Sequence, residues 1–266
     1  MNTLQNLHTH STFSDGIDTP EKMIITAIEI GFGSIGFSEH SQTSSPASLK
    51  SGEATRKYKQ KIADLKEKYK GQIDVYCGLE FDKSSEVDIS GYDYVIGSVH
   101  HIDGINMDRT ADHVKNLIDT QYSGDGMKYV SAYYEEVASL YQYGDIDIIG
   151  HFDLLTKHTE NVMLFDDESP LYKKYAIEAA EALAGKIPFF EVNTGAIARG
   201  YRKTPYPSPF LIKELKRLGF GAVISSDCHD STKLECGFNL AAEILKFCGF
   251  REKYILTDKG FIPVSL

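Results

Sequence analysis

Through most of the chain, short apolar runs alternate with longer stretches in which apolar residues recur at helical spacing. Thr19-Pro20-Glu21 reads as a helix start, with Thr as cap, Pro at the first helical position and Glu at the positive end. Met23, Ile24, Ala27 and Ile28 continue it on one face and Gly31 closes it. The run Ser34-Ile35-Gly36-Phe37 then predicts a strand. The same alternation predicts helices over 54–69, about 128–143, about 170–184 and about 209–218. It predicts strands over 73–79, 92–99, 146–150, 187–190 and 221–226. A last helix carries Leu240, Ile244 and Leu245, and residues 253–266 read as a closing hairpin or edge strand. No element is predicted between 101 and 127.

Strands separated by amphipathic helices imply parallel pairing through crossovers. About seven such units suit an α/β fold of the barrel kind better than an open sheet, and in such barrels chemistry gathers where the strands end. Each predicted strand here runs into His, Glu or Asp. The first, at residues 4–10, is the most telling. In an extended chain alternate side chains share a face, so His8 and His10 point one way and Thr9 the other. Asp15 follows in a Ser-Asp-Gly turn that can fold a carboxylate back towards the two rings. Later strands deliver His40, Glu80, His100, His151, Asp227 and His229. Imidazole and carboxylate without thiolate suit zinc, iron or manganese. These nine side chains exceed what one ion takes, and a bridging Glu80 would let neighbouring ions share a ligand.

Composition narrows the function. With 266 residues the chain can bury a full core as one domain spanning 1–266. A net charge of −10 argues against a surface built for a nucleic-acid backbone, though not against a small basic pocket. No apolar run approaches the ~20 residues that span a bilayer, and Met1-Asn2-Thr3-Leu4-Gln5 lacks the features of a signal peptide, so a cytoplasmic protein with no membrane partner is expected. Cys77, Cys228, Cys236 and Cys248 form no Cys-x-x-Cys pair and read as reduced thiols.

His8-Thr9-His10 with Asp15, Ser38-Glu39-His40, Gly78-Leu79-Glu80, Gly97-Ser98-Val99-His100, Gly150-His151 and Ser226-Asp227-Cys228-His229 together resemble the ordered motifs of the polymerase and histidinol phosphatase (PHP) superfamily. The length and Gly97-Ser98-Val99-His100-His101 are most similar to its monofunctional histidinol-phosphate phosphatases. The resemblance covers Leu7 to His229. It implies a distorted (β/α)7 TIM-like barrel, three divalent metal ions (zinc, manganese or iron) and phosphate-ester hydrolysis. By resemblance, His8, His10, Glu80 and Asp227 hold one ion, Glu80, His100 and His151 a second, and Asp15, His40 and His229 a third. Cys228 departs from the pattern, which favours a small residue there; on a strand it faces away from its neighbours.

The chemistry of the residues agrees with that implication. Closely spaced ions can lower the pKa of a bridging water, clamp phosphate oxygens and stabilise an in-line displacement. The expected reaction is direct attack of that hydroxide on L-histidinol phosphate, giving L-histidinol and phosphate in histidine biosynthesis, with Asp227 or His229 supplying the leaving-group proton. Arg199 is the first candidate for the phosphate and Arg202 the second, because a guanidinium can donate two parallel hydrogen bonds. Ser41 and Gln42 can add neutral hydrogen bonds, and Glu191 and Asn193 end a strand at the barrel mouth. Glu191 could meet a substrate ammonium or instead support a ligand histidine. His101, facing away from His100, and His113 and His158 take no role. A PHP-type nuclease or nucleotide phosphoesterase, an amidohydrolase-like metal hydrolase and a metal-storage protein are the competing readings; oligomeric state is left open.

Overall fold

The computed structural model describes residues 2–41, 48, 49, 51–85 and 87–266. Its centre is a seven-stranded parallel sheet. In chain order β1 (Gln5–Asn6) is followed by α1 (Pro20–Ile30), β2 (Ser34–His40), α2 (Gly52–Lys68), β3 (Asp74–Asp82) and β4 (Tyr94–Ser98). A small ribbon of β5 (His101–Ile102) and β6 (Ile105–Asn106) leads to α3 (Ala111–Gln121) and α4 (Gly126–Ala138). Then come β7 (Ile148–Ile149), α5 (Pro170–Leu183), β8 (Phe189–Asn193), the short α6 (Gly195–Ala198), α7 (Pro209–Arg217), β9 (Gly221–Ser225) and α8 (Phe238–Phe247). An antiparallel hairpin of β10 (Glu252–Thr257) and β11 (Gly260–Ser265) ends the chain.

The sheet order is β1-β2-β3-β4-β7-β8-β9. Its two edges meet where Thr9 bridges Cys228 in parallel and the His10 N–H donates to the Cys228 carbonyl at 2.9 Å. The seven parallel strands therefore form a nearly closed (β/α)7 barrel, as expected. Helix ends follow the local chemistry. Thr19 accepts from the Lys22 N–H and Gly31 takes the left-handed conformation at φ 96°. The helix α3 with the ribbon before it, and the one-turn α6, are elements the hydrophobic pattern leaves out. Thr110 caps α3, and it buries only Val114, Leu117 and Ile118, too short a stripe to stand out beside neighbouring polar residues.

Two apolar layers hold the barrel. The larger packs the helices on the outside of the strands; the smaller fills the interior with Leu7, Tyr76, Tyr94, Ile96, Ile148, Val223 and Leu256. Tyr94 crosses this interior. Its ring occupies the space where a Cβ on Gly78 would come within 2.2 Å, and its hydroxyl donates to the Leu7 carbonyl, one residue before His8. The closing hairpin stacks Tyr254 and Phe261 on Phe189, with ring centroids 4.9 and 4.4 Å away, and its Leu256 exchanges hydrogen bonds with the Gln5 side chain. These contacts seat β1, which has only two residues paired in the sheet, and hence the residues that follow it.

Candidate metal centre

The strand ends converge. His8 and His10 leave β1 on one face with ring centroids 5.1 Å apart, while Thr9 turns outward and donates to the Gly36 carbonyl at 2.8 Å. His40 and Glu80 sit opposite one another in the β2–β3 register. Glu80 is the hub. Its Oε1 lies 3.4 Å from His8 Nε2, 3.4 Å from His100 Nε2 and 3.0 Å from His151 Nε2. Its Oε2 lies 3.5 Å from His10 Nε2 and 2.5 Å from His40 Nδ1. Asp227 Oδ1 is 3.3 Å from His10 Nε2 and 3.7 Å from His8 Nε2. Asp15 Oδ1 is 3.3 Å from His40 Nε2 and 3.2 Å from His229 Nε2. All nine expected ligand residues are thus brought together. Among the described residues three groups can each hold an ion: His8, His10 and Asp227; Glu80, His100 and His151; and His10, Asp15, His40 and His229.

The donor set fits a divalent cation. Two ligands at about 2.1 Å from a tetrahedral ion stand roughly 3.4 Å apart, which is the spacing seen here. Several donor atoms, His8 Nε2, His10 Nε2, His40 Nδ1 and Glu80 Oε2, are buried without a well-aligned hydrogen bond, the last two facing each other at 2.5 Å. Asp227 also adopts a left-handed backbone at φ 47°, a strained conformation for a non-glycine residue at the point where the ligand strand must turn.

Electrostatics keep the carboxylates ionised and divide the histidines. Burial pushes the Glu80 carboxyl up, but His40, His8 and His100 outweigh it and hold the group well below the usual carboxylate range. Burial likewise opposes ionisation of Asp227, and Arg199 followed by His8 overcomes it. His10 goes the other way: burial, then the neighbouring His40 and His229, push it down to about 3, leaving a neutral ring with a free lone pair. Burial lowers His8 and His40, yet the surrounding carboxylates raise both well above their ordinary value.

Above the cluster lies a cavity of about 380 Å³, lined by Asp15, His40, His100, His151, Asp227 and His229 and also by Asn106, Asp108, Leu154, Lys157, Arg199 and Tyr201. Arg199 donates from Nη2 to Asp227 Oδ2 and from Nη1 to the Asp227 carbonyl, both at 3.0 Å. Lys157 pairs with Asp108 at 2.6 Å and stands 4.6 Å from the centre of the Tyr201 ring. The sequence reading missed Asn106, which ends β6, and Asp108, Lys157 and Tyr201, which lie outside the strands and α-helices; only the charge of Asp108 and Lys157 offered a signal.

Other expected contacts are placed elsewhere. Arg202 does not line the cavity: its guanidinium is buried against the Thr156 carbonyl and hydroxyl at 2.5 and 2.7 Å, with Thr204 and Glu160 beside it. Glu191 is fully buried behind His8, with Oε2 2.9 Å from Nδ1, and also accepts from the His151 N–H at 2.7 Å. It supports histidines rather than facing the cavity. Asn193 donates to Glu191 at 2.8 Å and accepts from the Gly195 N–H at 2.8 Å. Ser41 is buried, its hydroxyl accepting from the Asp82 N–H at 2.9 Å. Gln42 lies outside the described residues. His101 does not face away from His100: both rings turn their Nδ1 to Asp82 Oδ2, at 3.4 and 3.1 Å, because the strand has ended at Ser98 and strict alternation with it. Cys228 sits in the outer apolar layer, its thiol pushed up to about 12 by burial, away from the cluster.

A family model described as "PHP domain" matches residues 6–195. A probable histidinol-phosphatase of Schizosaccharomyces pombe is 26% identical over 264 residues, covering 90% of this chain and 84% of that protein. A histidinol-phosphatase of Lactococcus lactis is 26% identical over 257 residues, covering 92% and 91%. Among solved structures, histidinol phosphate phosphatase from Lactococcus lactis, complexed with zinc, L-histidinol and phosphate, superposes with a TM-score of 0.73 at 23% identity, covering 97% of this chain and 98% of that one. A putative histidinol phosphatase from Listeria monocytogenes gives a TM-score of 0.74 at 19% identity, covering 89% and 99%.

Proposed function

The chain belongs to the PHP-domain family, and from that membership we propose that it is a metal-dependent phosphomonoesterase hydrolysing L-histidinol phosphate to L-histidinol and phosphate in histidine biosynthesis. The observation that carries this reading is the convergence of nine imidazole and carboxylate groups, five of the histidines meeting at Glu80, beneath a cavity that also holds Arg199 and Lys157. In this reading three divalent ions, zinc, manganese or iron, are held by His8, His10, Glu80 and Asp227, by Glu80, His100 and His151, and by Asp15, His40 and His229. When bound, the ions supply Lewis acidity to the phosphate oxygens and a nucleophile drawn from water at neutral pH.

The protein's own groups do the rest. Arg199 orients the phosphate with the edge of its guanidinium that Asp227 leaves free, and Lys157 adds a second positive charge. Asp227 is held ionised by Arg199 and the rings and so is a poor acid. His229, on the cavity wall 3.2 Å from Asp15, is the better group to protonate the leaving alkoxide in the state where its Nε2 carries a proton instead of an ion, since its Nδ1 faces the Asp227 carbonyl at 3.1 Å. Asp108, whose Oδ1 is paired with Lys157, takes the place expected for Glu191 as the cavity-lining carboxylate that a substrate ammonium can meet through its other oxygen. The net charge of −10 favours a small monoester over a polynucleotide partner. No helix among the described residues is long and apolar enough to cross a membrane.

The test is phosphate release from L-histidinol phosphate by protein loaded with zinc or manganese, with p-nitrophenyl phosphate as comparison. Turnover of histidinol phosphate far exceeding that of the comparison ester is expected. No release from a metal-replete preparation overturns the assignment.

A further inference from the structure

Behind the cluster stand two carboxylates outside the lining of the cavity above it, Asp82 and Glu191, each buried with 0% exposure. Asp82 Oδ2 accepts from the His100 backbone N–H at 2.9 Å and faces His100 Nδ1 at 3.1 Å, while Oδ1 accepts from the Ser84 N–H at 2.8 Å. Glu191 faces His8 Nδ1 with both oxygens, at 2.9 and 3.1 Å, and is itself fixed by Ser225, Asn193 and the His151 N–H. We propose that Asp82 and Glu191 are positioning residues that select which ring nitrogen His100 and His8 present to a bound divalent cation. This rests on the metal-binding reading above.

The argument is one of donors and acceptors. A neutral imidazole has one N–H and one lone pair, and an ionised carboxylate can only accept. Each ring therefore keeps its proton on Nδ1, towards Asp82 or Glu191, and turns the Nε2 lone pair inward. Both Nε2 atoms lie 3.4 Å from the same atom, Glu80 Oε1, and His8 Nε2 has no hydrogen-bond partner. The alternative tautomer would leave a lone pair against a carboxylate and aim an N–H at the ion. Asp82 achieves this economically: two residues beyond Glu80 on β3, it shares that residue's face, so a single strand supplies both the hub and a carboxylate behind one of its rings. His151 makes the contrast, since its Nδ1 is buried without a partner. A carboxylate bonded to the far nitrogen also makes the ring a stronger donor, an effect worth about 10- to 100-fold in metal affinity.

The experiment is zinc titration of the full-length protein against a fluorescent chelator for the wild type, D82N, E191Q and E39Q. Glu39 is equally buried but approaches a ring only through Ser14, whose hydroxyl is 3.5 Å from His10 Nδ1. Zinc binding weakened about 10- to 100-fold in D82N and E191Q, with E39Q within about threefold of the wild type, is the expected result. Unchanged affinity in D82N and E191Q, or an equal loss in E39Q, overturns the proposal by showing that these bonds, or the bonds as opposed to buried charge, do not matter. A second measurement needs no variant: long-range proton–nitrogen spectra of the zinc-loaded wild type should show His8 and His100 protonated at Nδ1 and metallated at Nε2. Metallation through Nδ1 refutes the proposal even if a variant fails to fold. A wild type that binds no zinc refutes the metal reading itself.

Discussion

Replacing Arg199 by Met removes the guanidinium while keeping much of its apolar stem. Nη2 and Nη1 anchor to the Asp227 side chain and carbonyl at 3.0 Å each and Nη1 also faces His229 Nδ1 at 3.4 Å, so part of the five-donor fork is committed, while Arg199 lines the cavity with donors left over. A phosphate taking two parallel bonds from that free edge loses two charge-assisted interactions of about 1.5–3 kcal/mol each. The sum of roughly 3–6 kcal/mol corresponds to a fall of about 10²- to 10⁴-fold in kcat/KM. Arg199→Lys keeps a point charge and one bond, so a fall of about 10- to 10²-fold is expected. The assay is initial phosphate release from L-histidinol phosphate below KM, with metal content and thermal stability measured on the same samples. Metal content matters because Asp227 loses its partner in both variants. If Arg199→Met turns over within about threefold of the wild type while fully metallated, Arg199 does not hold the phosphate and the fork argument fails.

Three further outcomes follow from the same geometry. Arg202→Met should cost about 2–3 kcal/mol in urea unfolding, since Thr156 and Glu160 lose a buried partner, yet leave kcat/KM within about threefold; an activity loss as steep as that of Arg199→Met would put Arg202 back in the site. Gly78→Ala drives a methyl to 2.2 Å from the Tyr94 ring and should destabilise by about 3 kcal/mol or more, and a loss under about 1 kcal/mol would mean the barrel interior is not tightly filled. The third concerns pH. In the ion-free protein carboxylates raise His8 and His40 against the opposing effect of burial, so their stabilisation is complete below the ordinary value near 6.5 and is lost as pH rises through the raised values. A cation must displace those protons, so the rise in Tm caused by zinc should be larger at pH 8.5 than at pH 6; calorimetry showing an equal rise at both would contradict the coupling.

The order of strands and helices, the barrel and the candidate ligands were legible in the sequence because each depends on short-range rules. Side chains alternate along a strand, so His8 and His10 had to share a face once residues near them were extended. Caps and glycines marked α1 to within a residue. Parallel strands joined by helices leave their C-terminal ends at one mouth, so polar residues ending several strands had to meet. The loops obey no such rule. Arg199 and Arg202 are three residues apart in one basic segment, yet one reaches Asp227 above the cluster and the other is drawn down by Thr156 and Glu160, partners more than forty residues away in the chain. Glu191 could equally have met a ligand or a substrate until the fold set it against His8. Asp108 and Lys157 carried no periodic signal, and Asp82, although two residues beyond Glu80, lies past the predicted end of its strand at 79. What the sequence determined was the inventory of candidate ligands and the end of the barrel that collects them. Only the tertiary structure decided which charges face the cavity and which are spent holding its walls, because a long polar side chain goes to the partner that best satisfies it, and that partner is fixed by packing rather than by spacing.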